Sequence, residues 1–474
     1  MGFNFIAADR DQPFLLPPDM RDWLGEEHLV WVVLDAVAEF DLSGFERAYR
    51  ANGQGAAAFD PAMMAALLLY AYSTGVRSSR QIERRCVEDV AFRVITAGLR
   101  PDHATISRFR ARHEAALKDT FSQVLRVLRA AGMLRLGLLA LDGTKIGADA
   151  SWSANRTRAQ LDTEIAELDR VLAERVGQVL GEAAALDAAE DARFGPGGRE
   201  ELTPRELAGR SQRRARLQAA RERLDGEQRA AREAQQAKLA AWQARKDAGV
   251  ARPGGKPGAE PPGNRNRSEA RANATDPQAR VMRTRHTLTV GYNAQAVVTA
   301  DQVIVGVLLT QAAVDQHLLL PGLGACRAQL GAAGIHAPLG TVCADAGYAN
   351  ENDFAAAETA GLRVLIPLAK DTPAWRERHD PAGNTDPARA TAPGRDLSRL
   401  PATARAQAAL DTEAGRCEYR QRGRTVEPVF GQIKTRQNAT RFTRRGRSAA
   451  ESEWHLLCAA HNLRKLHTHR TRPT

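Results

Sequence analysis

The sequence predicts an α/β domain built on a mixed sheet, entered from a helical section and split by a long helical insertion. Three observations carry that expectation. From about residue 136 to residue 367, short β-rich runs alternate with helical stretches. Up to about Gly132 the spacing is helical throughout, with no strand pattern. Gln160 to Ala248, lying between the first predicted strand and the second, is rich in Ala, Glu, Arg, Leu and Gln and carries almost no β-branched residues.

The helical section comes first. Pro61 to Tyr72 is an apolar run long enough for a buried helix, and Gly75 ends it with a residue that accepts a left-handed φ. Ser78 or Ser79 caps a second helix containing Ile82 and Cys86; Glu88 to Thr96 continues as a third, which Gly98 breaks. Asp102 or Thr105 caps a long fourth helix, on which Ile106, Phe109, His113 and Leu117 recur at helical spacing while Arg108, Arg110 and Arg112 face solvent. Short helices joined by tight turns and ending in a basic one resemble a helix-turn-helix. Both DNA contact through these arginines and a plain bundle with solvated arginines fit that pattern.

The sheet follows. Leu136 to Leu141 reads as a buried strand giving way to an Asp142-Gly143 turn. Leu288 to Thr299, Gln302 to Thr310, Thr341 to Ala344 and Leu362 to Pro367 are further strands, with helices at about Asp315 to Gly331 and Glu351 to Ala360 and a final helix near the end. The insertion should be an antiparallel pair of helices broken near Phe194 to Gly198, with Leu161, Leu168, Val171 and Leu172 facing Leu217, Leu224 and Leu239. The expected organisation is therefore a helical N-terminal domain over 1–132, an α/β domain over 133–154 and 276–466, a helical insertion over 155–250, a flexible basic linker over 251–275 and a loop-rich insertion over 371–415.

Charge narrows the class of function. The 474 residues carry 67 Lys+Arg against 56 Asp+Glu, a formal net of +11. Arg416 to Thr474 holds 14 basic and 4 acidic residues and Ala251 to Arg285 holds 8 and 3, whereas Asn155 to Val250 is nearly neutral at 18 and 17. A localised basic surface fits a polyanionic partner, nucleic acid first, better than an acidic small molecule or a nucleotide cofactor. No apolar run approaches the roughly 18 residues of a membrane span, and Met1 to Asp22 lacks the pattern of a signal peptide. A soluble, cytoplasmic, nucleoid-associated protein is expected. The five cysteines (Cys86, Cys326, Cys343, Cys417 and Cys458) are widely spaced without a CxxC, so they read as reduced thiols rather than a disulfide framework or a zinc site.

Three acids stand at the ends of hydrophobic elements: Asp142 in LALDGTKI, Asp345 in TVCADAGY and Glu427 in TVEPVFGQIK. Adjacent strands ending at one sheet edge would bring the aspartates together, and a helix packed across that edge would add the glutamate. Such a cluster suits two divalent ions about 3.5 to 4 Å apart, Mg²⁺ or Mn²⁺ in its place, for displacement at phosphorus. Taken singly, Asp-Gly after a strand is an ordinary turn and a glutamate in a first helical turn meets the helix dipole. Lys434, seven residues after Glu427, shares its helix face, and Tyr419, Arg422 and Arg424 precede it. These side chains suit a DNA strand end; a solvated basic face is the plain alternative.

Together RSSRQIERRCVEDVAFRVI, LALDGTKIGADAS, TDPQARVMRTR, GYNAQAVV, ADAGY, VEPVFGQIK and CAAHNLRKL resemble bacterial insertion-sequence transposases of the DDE type. The resemblance runs from about Phe14 to Leu466 and implies a ribonuclease-H-like catalytic fold, a helical N-terminal DNA-binding domain and Mg²⁺-dependent cutting and joining of element ends. It puts the three catalytic and metal-binding acids on Asp142, Asp345 and Glu427. A related Tyr, Arg, Glu, Lys signature keeps its spacing at Glu427 and Lys434, but its arginine position holds Gly423, flanked by Arg422 and Arg424. Asp276, in TDPQARVMR, matches a family motif without an assigned chemical role. Two double-stranded DNA ends held together imply a homodimer in the DNA complex. The rival readings are an inactive, transposase-derived repressor and a host nuclease on the same fold.

Overall fold

The computed structural model describes residues 19–49, 57–194, 205–247, 270–284, 287–368 and 401–471. Among the described residues a 3-10 turn, Met20–Trp23, is followed by seven α-helices: α1 (Leu29–Ala38), α2 (Ser43–Glu46), α3 (Pro61–Ser73), α4 (Ser79–Glu88), α5 (Val90–Ile95), α6 (His103–Arg112) and α7 (Glu114–Ala130). Asp60 caps α3 by accepting the Ala62 and Met63 N–H groups, and Asp102 caps α6 through Thr105. The single long helix expected after Asp102 is two. Its backbone breaks at His113 (φ −111°, ψ 30°), whose buried ring packs against Phe45, Tyr49 and Phe109. The third helix begins at Val90, because Asp89 leaves the helical region and caps it.

The sheet is built from β1 (Leu138–Gly147), followed after the insertion by β4 (Arg280–Arg283), β5 (Leu288–Thr299), β6 (Ile304–Thr310), β7 (Thr341–Cys343) and β8 (Val364–Leu365). β5 lies antiparallel to β1, β4 and β6, while β1, β7 and β8 run parallel. That mixed order is the ribonuclease-H-like arrangement. α10 (Leu319–Ala332) precedes β7 and α11 (Glu351–Thr359) follows it. One expectation fails at the site itself. Asp142-Gly143 is no turn; β1 runs straight through it, with Asp142 opposite Ala296 and Gly143 opposite Gln295.

The insertion leaves β1 through β2 (Asn155–Thr157), runs out along α8 (Arg158–Phe194), back along α9 (Arg205–Asp247) and re-enters through β3 (Arg271–Asn273), which pairs with β2. The expected helix pair is present, and Leu161, Ile165, Leu217, Ala220 and Leu224 form its own small core at the base. The break predicted at Phe194 to Gly198 falls outside the described residues beyond Phe194. The linker expected over 251–275 ends earlier than predicted, since Arg271–Asn273 is a strand; 251–269 lie outside the described residues. The loop-rich segment 371–415 is likewise corrected at its end: α12 (Ala402–Asp411) and the start of α13 (Glu413–Thr435) are helical, with Ala402, Ala404, Ala406 and Ala408 of α12 buried, and 371–400 are outside the described residues.

One hydrophobic core runs from Val30 to Leu466. The last helix, α14 (Arg447–Arg470), is buried along most of its length, packing on α3 and α7 with one side and on β6 with the other. Each fully buried Leu or Phe there contributes about 1.5 to 3 kcal/mol, so the helical section and the sheet are joined by apolar area rather than by a tether. A buried ion pair reinforces the joint: Arg77, after α3, meets Glu453 of α14 at 3.4 Å and also donates to the Arg441 carbonyl oxygen.

Candidate active site

α13 packs across β1, β5 and β7, and this places its side chains over the middle of the sheet. Because β1 and β7 are neighbouring parallel strands, Asp142, within β1, and Asp345, two residues after the end of β7, reach the same place. There the Arg422 guanidinium of α13 sits between them: Nη2 lies 2.7 Å from Asp142 Oδ2 and 4.0 Å from Asp345 Oδ2. The Arg422 side chain is 13 % exposed and Asp142 is 16 % exposed, whereas Asp345 is open at 44 %. Arg422 Nε is buried without a partner among the described residues.

Burial dominates the electrostatics of Asp142 and pushes its carboxyl up to about 6, helped by the negative charges of Asp345 and Asp315; Arg422 and the Gly143 N–H pull the other way. Asp345 also caps the short 3-10 turn Ala346–Tyr348, accepting the Gly347 N–H at 2.9 Å.

Glu427 is exposed, and no hydrogen bond or ion pair joins it to either aspartate or to Arg422 among the described residues. No three His, Cys, Asp or Glu side chains converge on a metal position among those residues. The structure thus gathers two of the three sequence-singled acids and leaves the third farther along the same helix. The donor chemistry still fits a hard divalent cation. Two carboxylates already share one cationic atom, Arg422 Nη2, and oxygen-only ligands are what Mg²⁺ and Mn²⁺ take.

The remaining predicted residues separate clearly. Arg422, not Arg424, occupies the site; Arg424 is exposed, and its backbone carbonyl accepts the Gln302 side-chain amide at 3.0 Å. That carbonyl is free because Pro428, four residues on, has no N–H to give it. Gly423 faces Glu427, so a side chain at 423 would rest on the glutamate rather than reach the aspartates. Tyr419 is half-buried against the cluster of Cys343, Leu365 and Leu410 beside the site. Lys434 is half-buried with no ion pair among the described residues, and burial lowers its pKa.

In the helical section Arg108 and Arg112 are exposed, the latter stacked over the Tyr49 ring. Arg110 is not solvent-facing as expected. It is buried, donating to Tyr72 Oη (3.1 Å), the Arg77 carbonyl (2.9 Å) and Ser79 Oγ (2.5 Å). Asp276 is likewise internal: fully buried, it accepts the Tyr292 hydroxyl and the Gln278, Ala279 and Gly446 N–H groups, pinning the turn before β4 to the start of α14.

Two family models match the chain, Transposase domain (DUF772) over residues 18–112 and Transposase DDE domain over residues 389–467. Both matches are to transposase domains, and together they support an insertion-sequence DDE transposase. The second match contains Arg422, Glu427 and Lys434 of α13, while Asp142 and Asp345 lie outside both matches and stand on the geometry above. No curated protein and no solved structure matches the chain. The DDE-domain match supports a DNA-processing enzyme, and none of the described helices is long and apolar enough to cross a membrane.

Proposed function

We propose that this transposase binds the terminal inverted repeats of its element and performs Mg²⁺-dependent strand cleavage and strand transfer with Asp142, Asp345 and Glu427. The observation that carries the reading is the placement of Asp142 and Asp345 around one cationic nitrogen, on neighbouring parallel strands beneath a helix that also bears Glu427 and Lys434. Asp142 and Asp345 would hold the divalent ions, with Glu427 as the third oxygen donor. When bound, such ions activate the attacking water or 3′-hydroxyl and offset charge on the leaving oxygen. Arg422 has the position and the donors to take a phosphate oxygen once its carboxylate partners are otherwise neutralised. Lys434, with no ion pair among the described residues, suits the phosphate next along the strand.

The same reading assigns Arg108 and Arg112 to DNA backbone contact and removes Arg110 from that surface. It keeps the helical section as the end-binding region, acting in a homodimer that holds two ends. The experiment is end cleavage and strand transfer on duplex oligonucleotides carrying the element ends. Asp142→Asn should abolish Mg²⁺-dependent cleavage while end binding persists, and undiminished cleavage would sink the assignment. Joining of pre-cleaved ends separates a transposase from a nuclease, which would yield no joined product.

A further inference from the structure

Beneath the aspartates, on the opposite face of β1, lies a polar cluster that the proposed chemistry does not use. Asp315, in the loop between β6 and α10, accepts three hydrogen bonds on one oxygen: Lys145 Nζ at 3.2 Å, Asn293 Nδ2 at 2.7 Å and Gln295 Nε2 at 2.9 Å. Asn293 and Gln295 are fully buried on β5, directly opposite Lys145 and Gly143 of β1. Gln295 is committed at both ends, since its Oε1 accepts the hydroxyl of Tyr348, itself fully buried in the turn that Asp345 caps. A continuous chain therefore runs from Asp315 through Gln295 to Tyr348, three residues from the second aspartate.

Gly143 shows how tightly the chain is held against the first aspartate. A methyl group at this position would overlap the Gln295 amide nitrogen and come within 2.9 Å of Asp315 Oδ1. The Gly347 side reports the same crowding: a methyl group there would meet Asp345 Oδ1 at 3.0 Å and Asp315 Cβ at 3.8 Å. Asp315 thus abuts both strand segments that carry the aspartates.

We propose that Asp315 is a positioning residue, which through Gln295 and Tyr348 fixes the Asp345 turn against β1 so that the Asp142 and Asp345 carboxylates converge. It touches neither DNA nor metal in this role. Its hydrogen bonds hold the amide of Gln295 in the one orientation that leaves Oε1 for Tyr348. The metal half of the test rests on the function proposed above, whereas the structural half does not.

The experiment compares the full chain with Asp315→Ala, Asp315→Asn and Tyr348→Phe by hydrogen–deuterium exchange over residues 341–350 and by Mn²⁺ binding. Asp315→Ala and Tyr348→Phe should each speed exchange in that peptide and weaken Mn²⁺ binding about fivefold, the loss expected for about one hydrogen bond. Asp315→Asn, which keeps an acceptor oxygen, should recover most of both. Unchanged exchange in Tyr348→Phe overturns the proposal, and this variant removes only a hydroxyl should Asp315→Ala fail to fold. Faster exchange with unchanged Mn²⁺ affinity also overturns it, provided Asp142→Asn abolishes Mn²⁺ binding. If Asp142→Asn binds Mn²⁺ as the parent does, the metal reading fails instead, and exchange alone decides the role of Asp315.

Discussion

Asp142→Asn should make the metal-free protein more stable even as it removes cleavage. An aspartate with an ordinary pKa of 3.8 that burial pushes up to about 6 is disfavoured in its ionised form by about 3 kcal/mol, at about 1.4 kcal/mol per factor of ten. The sign follows from the direction. Because the folded pKa exceeds the unfolded one, the contribution of Asp142 to stability is fully present below about pH 4 and is lost as pH rises through about 6. Asparagine has the same shape and no charge to desolvate. In the presence of a chelator the variant should therefore melt about 3 °C above the parent at pH 8, the shift that about 3 kcal/mol gives in a chain of this length. The gap should close as the pH is lowered towards 4. Asp345→Asn, at a carboxylate that is 44 % exposed, should leave melting within a degree of the parent. Calorimetric scans of the three proteins from pH 4 to 8 decide the matter. A variant no more stable than the parent at pH 8, or a gap independent of pH, would refute the claim that burial governs this carboxylate.

Other substitutions separate framework from surface. Gly143→Ala should cost more than about 3 kcal/mol in chemical denaturation, since its methyl group has nowhere to go but into Gln295 and Asp315; a soluble, normally stable variant would show that the cluster beneath β1 is loose. Arg110→Ala should lose about 2 to 4 kcal/mol by stranding three acceptors, whereas Arg108→Ala should stay within about 0.5 kcal/mol of the parent and weaken duplex binding instead. For Lys434→Met, fluorescence anisotropy on duplex DNA should show the slope of log affinity against log salt falling by about 0.9, one phosphate contact, with an unchanged slope arguing that this lysine does not meet the backbone.

Much of this architecture is legible in the chain because its signals are local. Strands β5 and β6 follow from alternation and β-branching, α8 and α9 from their composition, and α3 from one apolar run. The failures have a common physical origin in tertiary context. Asp142-Gly143 has the dipeptide signature of a turn, yet the glycine is there to make room for Gln295 across the ladder, a demand invisible without the partner strand. Arg110 looks like its exposed neighbours Arg108 and Arg112 until α3, the turn after it and α4 supply three acceptors to one side of it. Asp315 has no motif to flag it. A signal did exist in its partners: Asn293 and Gln295, two apart in an otherwise apolar strand, mark one polar stripe on a buried sheet face. The arginine displaced from its expected position resolves similarly, because only the geometry of α13 shows that 422 faces the aspartates while 423 faces Glu427.

The excess charge at the C-terminal end also means something different once the chain is folded. Arg441 donates to the carbonyls of Ala148 and Ala150, Arg444 pairs with Glu114, Arg445 with Asp149, Arg464 donates to the Ser73 carbonyl and Arg470 pairs with Asp35. These arginines tie the last segment to the residues just after β1 and to the helical section, so they are satisfied before any DNA arrives. A phosphate would have to compete with each of these contacts. Charge left available lies along α13, where Arg424 is exposed and Lys434 is unpaired among the described residues, and at exposed Arg436, which caps its C-terminal end. A segment total therefore overstates the DNA-facing charge, and the electrostatic case for the site narrows to the same helix that brings Arg422 between Asp142 and Asp345. That convergence on α13, more than the net charge of the chain, is what supports the proposal of a phosphodiester in the space above the sheet.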